Sequence, residues 1–535
     1  MSKAVRVALA AGLVALVLIA GLPARPAATA GAPPWAVLVG PAFDRFVPGT
    51  EKWEVALGIV GDGWGQVVPV LKGVRVTLDG SPLTPHTLAV REGTWARAAG
   101  RVTHDQIQEL RRTAAAALHG RPPAPVALPA LERTAGLLAG MMAEAEPTVV
   151  TLEGMSGTSE GVHVLEVSLD YKVGERQVTL TEQVEVAVTA LPTAPGWFAA
   201  DLHIHSTYSD GDKTPAGLKA DLASRGYYIG YLTDHTAALI GSGAFTSMSG
   251  PYPTDCKNAS DTTTSLFPGV ELEVGHKVLG IWNGDGHALG YGVASTSGLN
   301  DKYWGPQAGL DQVNANNSPQ SSAAIAHPVH LIYNWEDWTV LRYYGIELMS
   351  GLQWYFDVNS GGPSQWRSEC ARLQSYSASF VPSVRTGSDY HTGWQSYVTH
   401  IKLPSDSTWF GGSWEQRRSA VDSALKQGRT AISRKGSLAY ITADGYEVGS
   451  TYSKASGATV SFTVYLKPVV SGTYNLYLYR DNLAATVWSR TSQSLTAGTA
   501  YTWTCSYTYP GGSHYFWLYV SGEDYCYTTP IYMTP

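Results

Sequence analysis

Alternation of apolar and polar residues divides the chain before any single motif does. HVLEVSLDY (163–171) and VEVAVTAL (184–191) alternate with β-branched residues and predict strands, whereas residues 103–118 and 131–145 carry helical patterns on either side of the Pro-rich HGRPPAPVALPA. A β-rich N-terminal domain with a helical insertion is expected over 31–196, closed by the breaker LPTAPG. From residue 197 short apolar runs interleave with amphipathic stretches. Seven runs read as strands: FAADLHIH, YIGYLTDH, LFPGVELEV, HALGYGV, AAIAHPV, GIELMSG and VRTGSDYH. Strands interleaved with helices imply parallel pairing, in a barrel or a doubly wound sheet, over 197–436. Thr214 and Pro215 have the form of an N-cap and first helical residue, and Gly226 ends that helix. EQRRSAVDSALKQGRTA closes the unit. Beyond it TVSFTVYL, YNLYLYR and HYFWLYV predict a C-terminal β-sandwich over 437–535.

Composition narrows the class. The 535 residues include 17 Trp and 30 Tyr with only 15% charged residues, which suits a rigid globular chain and excludes disorder. A net charge of −7 without a Lys/Arg cluster argues against a nucleic-acid face. Residues 1–30 predict a signal peptide: Lys3 and Arg6, the run ALAAGLVALVLIAGL, then Ala28-Thr29-Ala30. That run is short of the roughly twenty residues a span needs, so an exported or secreted mature chain with no membrane span is expected. Cys256, Cys370, Cys505 and Cys526 allow two disulfides, with Cys505–Cys526 the nearest pair; no Cys-x-x-Cys spacing suggests a thiolate zinc site.

Chemistry gathers at the ends of the seven runs. His203 and His205 end the first, with Asp210 in the following loop; His235 ends the second. Glu271 lies in the third, His287 opens the fourth, His327 ends the fifth, and Asp389 and His391 end the seventh. Glu347 of the sixth sits inside its strand. Residues i and i+2 share a strand face, so His203 projects with His205 and Asp389 with His391. Parallel α/β barrels collect functional side chains at strand carboxyl ends. Imidazole and carboxylate without thiolate suit zinc, manganese or iron.

In the order DLHIHSTYSD, LTDH, GVE, GHALG, AHP and GSDYH, the sequence resembles the polymerase and histidinol phosphatase (PHP) superfamily across about 197–432, with all nine metal-binding positions of that signature filled. The resemblance implies an α/β fold, a distorted seven-stranded β/α barrel, holding two or three divalent metal ions. It implies His203, His205, Glu271 and Asp389 on one ion, Glu271 bridging to a second at His287 and His327, and Asp210, His235 and His391 on a third. Glu273 shares the face of Glu271; only the family's G-x-E pattern selects Glu271. Asp234 faces away from His235 and reads as an orienting or structural acid.

Hydrolysis by a metal-bound hydroxide is the implied reaction. A phosphate mono- or diester is the expected small-molecule ester substrate. SAVDSALKQGRTAIS running into a β tail resembles the exported carbaryl-hydrolase-like branch, which makes a carbamate or carboxyl ester the alternative. An inactive extracellular binding protein is the reading from a different class. Arg385 shares the parity of Asp389 and His391 and serves either to grip a phosphate or to neutralise buried carboxylates. Lys213 and His330 lie near the expected mouth, and Trp354 is a candidate substrate wall or packing residue. Trp488, Trp503 and Trp517 offer a carbohydrate or surface contact in the C-terminal domain, against the plainer reading of sandwich packing.

Overall fold

The computed structural model describes residues 34–41, 43–64, 68–83, 87–98, 102–109, 145–236, 250–278, 281–295, 299, 305–328, 335–352, 356–357, 362–374, 382–394 and 396–535. It is a mixed α/β structure built mainly of strands. The expected signal peptide lies outside the described residues, as does the second N-terminal helix apart from residue 145. Of the first, residues 104–109 are helical. Among the described residues no helix is long and apolar enough to cross a membrane.

The N-terminal strands are β1 (Trp35–Val39), β2 (Phe43–Phe46), β3 (Lys52–Asp62), β4 (Val70–Leu78), β5 (Ser81–Pro82), β6 (Thr87–Arg91), β7 (Trp95–Arg97), β8 (Thr148–Glu153), β9 (Gly161–Val173) and β10 (Arg176–Val188). They form two sheets, β1-β3-β8-β6 with β7 on β3, and β2-β10-β9-β4-β5. The alternation read from the sequence places Leu165, Val167 and Leu169 of β9 and Val184 and Val186 of β10 in one core with Trp53, Val55 and Val150.

The next elements are β11 (Trp197–Ile204), α1 (Pro215–Ser224), β12 (Ile229–Leu232), α2 (Pro251–Ala259), β13 (Ser265–Pro268), β14 (Val270–Val278), β15 (Ile281–Tyr291), α3 (Pro306–Asn316), β16 (Ser322–Ile325), β17 (Gly345–Leu352), β18 (Phe356–Asp357), α4 (Gly362–Gln374), β19 (Ser383–Gly387), β20 (Val398–Lys402), α5 (Asp406–Phe410), α6 (Trp414–Lys426) and β21 (Thr430–Ser433). Helix α1 starts as its sequence predicts: the Thr214 side chain accepts from the Gly217 N–H, with Pro215 at the first turn. It ends at Gly226, whose φ of 82° lies where only glycine is at ease.

All seven predicted runs contain strands, yet they divide between two sheets. One runs β13-β12-β11-β20-β21 and onward; the other runs β14-β15-β16-β17, with β19 on β17. Isolated bridges His235↔Glu271 and Ile204↔Tyr390 tie the sheets together at the ends of β12 and β11. Pairing is not uniformly parallel. β11–β12, β16–β17 and β17–β19 are parallel, but β14–β15 and β15–β16 are antiparallel. Only residues 279 and 280 separate β14 from β15, too few for the crossover a parallel pair requires.

The tail contributes β22 (Leu438–Ala443), β23 (Tyr446–Glu447), β24 (Thr451–Ser453), β25 (Thr459–Lys467), β26 (Gly472–Arg480), β27 (Ala485–Leu495), β28 (Tyr501–Thr508), β29 (His514–Gly522), β30 (Cys526–Thr528) and β31 (Ile531–Thr534). β23-β22-β25-β28 make a separate sheet, whereas β30, β29, β26 and β27 continue the β11 sheet through β20 and β21. Val460, Phe462 and Val464 of one face Leu476, Leu478, Phe516 and Leu518 of the other in a shared core. Trp517 is not a surface platform: it is buried edge-on against Trp366, and its indole N–H donates to the Asp481 carbonyl.

The expected Cys505–Cys526 bridge is not formed; all four cysteines are free thiols. Cys505 sits in mid-strand opposite Phe462, while Cys526 pairs with Ser433 and Val520 on the other sheet and turns its thiol towards the Ser437 carbonyl.

Buried charge joins the N-terminal sheets to the rest. Arg225, just past α1, donates to both oxygens of Asp44 on β2 at 3.2 and 3.1 Å, between the rings of Phe46 and Trp394. Arg45 donates to the carbonyls of Arg225 and Lys435.

Candidate metal centre

Parity on β11 does what the sequence predicts: His203 and His205 point the same way, both fully buried. β19 approaches β11 closely here, since a Cβ on Gly387 would stand 2.4 Å from that of His203. Asp389 and His327 follow their strands with φ of 50° and 22°, a left-handed backbone that non-glycine residues adopt at a cost of about 1–3 kcal/mol. Both turns swing a side chain into the space between the two sheets.

All nine expected ligands converge, in three groups. In the first, His203 Nε2 and His205 Nε2 lie 3.2 Å apart, and each lies 3.2 Å from Glu271 Oε2 and 3.2 Å from Asp389 Oδ1. Ligand atoms around a tetrahedral ion held at about 2.0 Å stand roughly 3.3 Å apart. The spacing therefore fits a metal ion. In the second group the other oxygen of Glu271 lies 2.7 Å from His287 Nδ1 and 3.2 Å from His327 Nε2. In the third, Asp210 lies 3.5 Å from His205 Nδ1, 3.7 Å from His235 Nε2 and 3.3 Å from His391 Nε2. His205 thus belongs to this outer group as well as to the first. Glu271 also meets His235 Nδ1 at 3.5 Å. Glu271 is 1% exposed, while Glu273, of the same parity, is partly exposed and opposite His287 in the hairpin. Asp210 and His391, with side chains 24% and 17% exposed, are the solvent-facing members.

The surrounding groups hold this arrangement. Asp234 accepts from the Ser206 N–H and both the Ser206 and Ser209 hydroxyls, and so fixes the loop that carries Asp210. Asp201, which the sequence reading passed over, accepts from the N–H groups of His203 and Ser388, pinning the two ligand-bearing segments together. Its i, i+2 relation to His203 was the available signal. Burial pushes its carboxyl up to about 7. Glu347 is fully buried with its carboxylate 3.1 and 3.2 Å from His203 Nδ1.

Other expected residues do not join the cluster. Arg385 is fully buried, but it donates to Ser383 Oγ and the Leu425 carbonyl and lies over the Tyr291 ring. The Lys213 ammonium sits 2.5 Å from both Glu54 and Asp221, joining β3 to α1. His330 and Trp354 lie outside the described residues.

Electrostatics of the metal-free cluster set a pH dependence. Burial penalises the charged form of His205, but Asp389, Glu271 and Asp210 outweigh it and raise the pKa to about 10. Burial likewise opposes charge on His203, and Asp389, Glu347 and Glu271 hold its pKa well above the ordinary value. Despite burial, Glu271 stays well below the usual carboxylate range because His287, His203 and His235 surround it. Ligation requires deprotonated imidazole. Ion uptake at pH 7 is therefore expected to release protons, and affinity to climb as pH rises towards the His205 value of about 10. Calorimetry in two buffers of different ionisation heat reads the release directly; uptake without proton release would contradict this charge state.

No family model matches the chain, and no curated protein matches it. Among solved structures, a two-domain protein from Bacteroides vulgatus containing a predicted PHP-like metal-dependent phosphoesterase is 15% identical with a TM-score of 0.37, covering 64% of this chain and 98% of that one. A β-glucosidase from Listeria innocua in complex with glucose is 11% identical with a TM-score of 0.12, over 36% of this chain and 37% of its own length. Neither supports the narrower likeness to the carbaryl-hydrolase-like branch. At such similarity the side-chain geometry, not kinship, carries the functional reading.

Proposed function

We propose that the chain is an exported metal-dependent hydrolase of phosphate mono- or diesters, with a PHP-type site. The observation that carries this reading is the set of five 3.2 Å separations among His203, His205, Glu271 and Asp389. The two sheets read as a distorted seven-stranded barrel, β11, β12, β14, β15, β16, β17 and β19, an account supported by the bridges at His235 and Tyr390. Export rests on the charged, apolar and small-residue pattern of residues 1–30.

The donor set suits zinc, manganese or iron. Held by His203, His205, Glu271, Asp389, His287 and His327, divalent ions would supply Lewis acidity for water activation and for offsetting phosphoryl charge. Within the chain, Glu271 and His205 each belong to two groups, so these residues would hold neighbouring ions of the kind that suit phosphoryl transfer. The greater exposure of Asp210 and His391 supports substrate entry from their side.

Metal analysis followed by paired chromogenic phosphate, carbamate and carboxyl esters tests the proposal. Phosphate ester turnover, lost on chelation and restored by added ions, is expected. Turnover of carbamates alone would move the assignment to the carbaryl-hydrolase type, and metal-loaded protein inert to every ester would favour the binding role. His203→Ala is expected to lose more than about 100-fold in turnover, since even partners beyond the ligands cost 10–100-fold, with circular dichroism unchanged. Full activity in that variant would remove the site from consideration.

A further inference from the structure

We propose that Glu347 is a positioning residue that sets His203 and His327 together around Glu271, so that the two ion positions sharing Glu271 depend on it while the Asp210–His235–His391 position does not. The inference rests on the metal reading above.

Glu347 lies in the middle of β17, between Ile346 and Leu348, which face the apolar core. A fully buried carboxylate at such a place needs partners that repay its lost hydration. Besides Arg385, its register partner on β19, two of its partners come from the ligand-bearing strands. One is the His203 imidazole, with Nδ1 at 3.1 Å from one oxygen and 3.2 Å from the other. The other is the backbone N–H of His327, which donates to Oε2 at 2.9 Å.

These two contacts act differently. A carboxylate only accepts, so His203 Nδ1 carries a proton and donates it. With Nδ1 so occupied, Nε2 is the nitrogen left to face His205, Glu271 and Asp389, each at 3.2 Å. A carboxylate behind an imidazole fixes its tautomer, aims the ring and raises its basicity towards an ion. At His327 the contact is to the main chain, at the residue whose φ of 22° turns the chain out of β16. Anchoring that N–H holds the turn by which Nε2 arrives 3.2 Å from Glu271 Oε1.

The strand is shaped for this. Pairing of β17 with β19 slips between Glu347 and Met349, an irregularity of the kind that re-aims side chains beside functional sites. A single acid thus joins the first ion position, through His203, to the second, through His327. Residues of the outer position take their own bearings: His391 Nδ1 lies 2.9 Å from the Asp389 carbonyl, and the Asp210 loop hangs from Asp234.

The test uses the whole chain as wild type, Glu347→Ala and Glu347→Gln, with zinc or manganese as the probe. Glu347→Ala is expected to weaken two ions by about 10–100-fold and leave the third near its original affinity. Glu347→Gln keeps an amide oxygen able to accept from both His203 and His327, and is expected to restore most of the loss. A far-downfield imidazole proton, absent in His203→Gln, is expected in metal-free wild type and Glu347→Gln but not in Glu347→Ala. Equal ion affinities in wild type and Glu347→Ala would overturn the positioning role alone, as would a Gln variant no better than Ala. Wild-type protein that shows the downfield proton yet retains no ion would overturn the metal reading while leaving the His203–Glu347 contact in place.

Discussion

A Glu271→Ala protein is expected to retain at most one divalent ion per chain and to hydrolyse esters at background rate. Among the described residues, Glu271 is the only side chain whose two oxygens face different ion groups: Oε2 towards His203, His205 and His235, and Oε1 towards His287 and His327. Its removal takes a ligand from two of the three groups at once. The effect reaches the metal-free fold too. His203 and His205, whose charged forms Glu271 helps to hold, lose that carboxylate in a buried site, and breaking a buried pair of this kind costs about 3–5 kcal/mol. The metal-free variant is therefore expected to melt below the metal-free wild type, and metal content to fall in parallel with turnover. Elemental analysis and calorimetry on the same preparation read both. A variant that keeps every ion would show that Glu271 is not shared.

The second large effect lies outside the cluster, at the Asp44–Arg225 pair. Asp44→Ala is expected to destabilise the chain by about 3–5 kcal/mol, because the Arg225 guanidinium would stay buried beneath Phe46 and Trp394 without its anion. The Ser396 hydroxyl and the Arg45 N–H, which also donate to Asp44, would lose an acceptor. Removing both charges together, as Asp44→Ala with Arg225→Met, is expected to recover part of the loss, because neither charge is then stranded. Denaturant unfolding of the single and double variants gives the coupling. Unchanged midpoints in Asp44→Ala would mean that the pair is hydrated in solution.

Which features were legible in the sequence follows from how local their causes are. Strand alternation is a property of adjacent residues, so the i, i+2 pairs His203/His205 and Asp389/His391 and the inward face of β25 were readable directly. The N-cap at Thr214 and the glycine stop at Gly226 are equally local. The groups of converging ligands came from a resemblance in motif order rather than from spacing, and the structure brings those residues together. Partners supplied by a distant segment were not legible. Lys213 sits beside the Asp210 loop in sequence, but Glu54, 159 residues away, captures it. Arg385 has the right parity, yet its nearest acceptors are Ser383 on its own strand and the Leu425 carbonyl at the end of α6. Parallel pairing was inferred from interleaved helices, and it fails at β14–β15, where the chain simply turns back. Glu347 stands inside its strand, unlike the strand-end candidates, and nothing along β17 announces that two histidines from other strands end beside it.

Continuity of the sheet from β11 through β20 and β21 into β30 and β29 makes the aromatic tail part of the wall behind the clustered histidines and acids. A chain ending near residue 436 would leave β21 with a bare edge where Cys526–Thr528 had paired, a row of open amides that invites other chains to dock. The last hundred residues are thus less an appendage than a buttress. Their loss would be felt first as sticking between molecules, and only afterwards as missing activity.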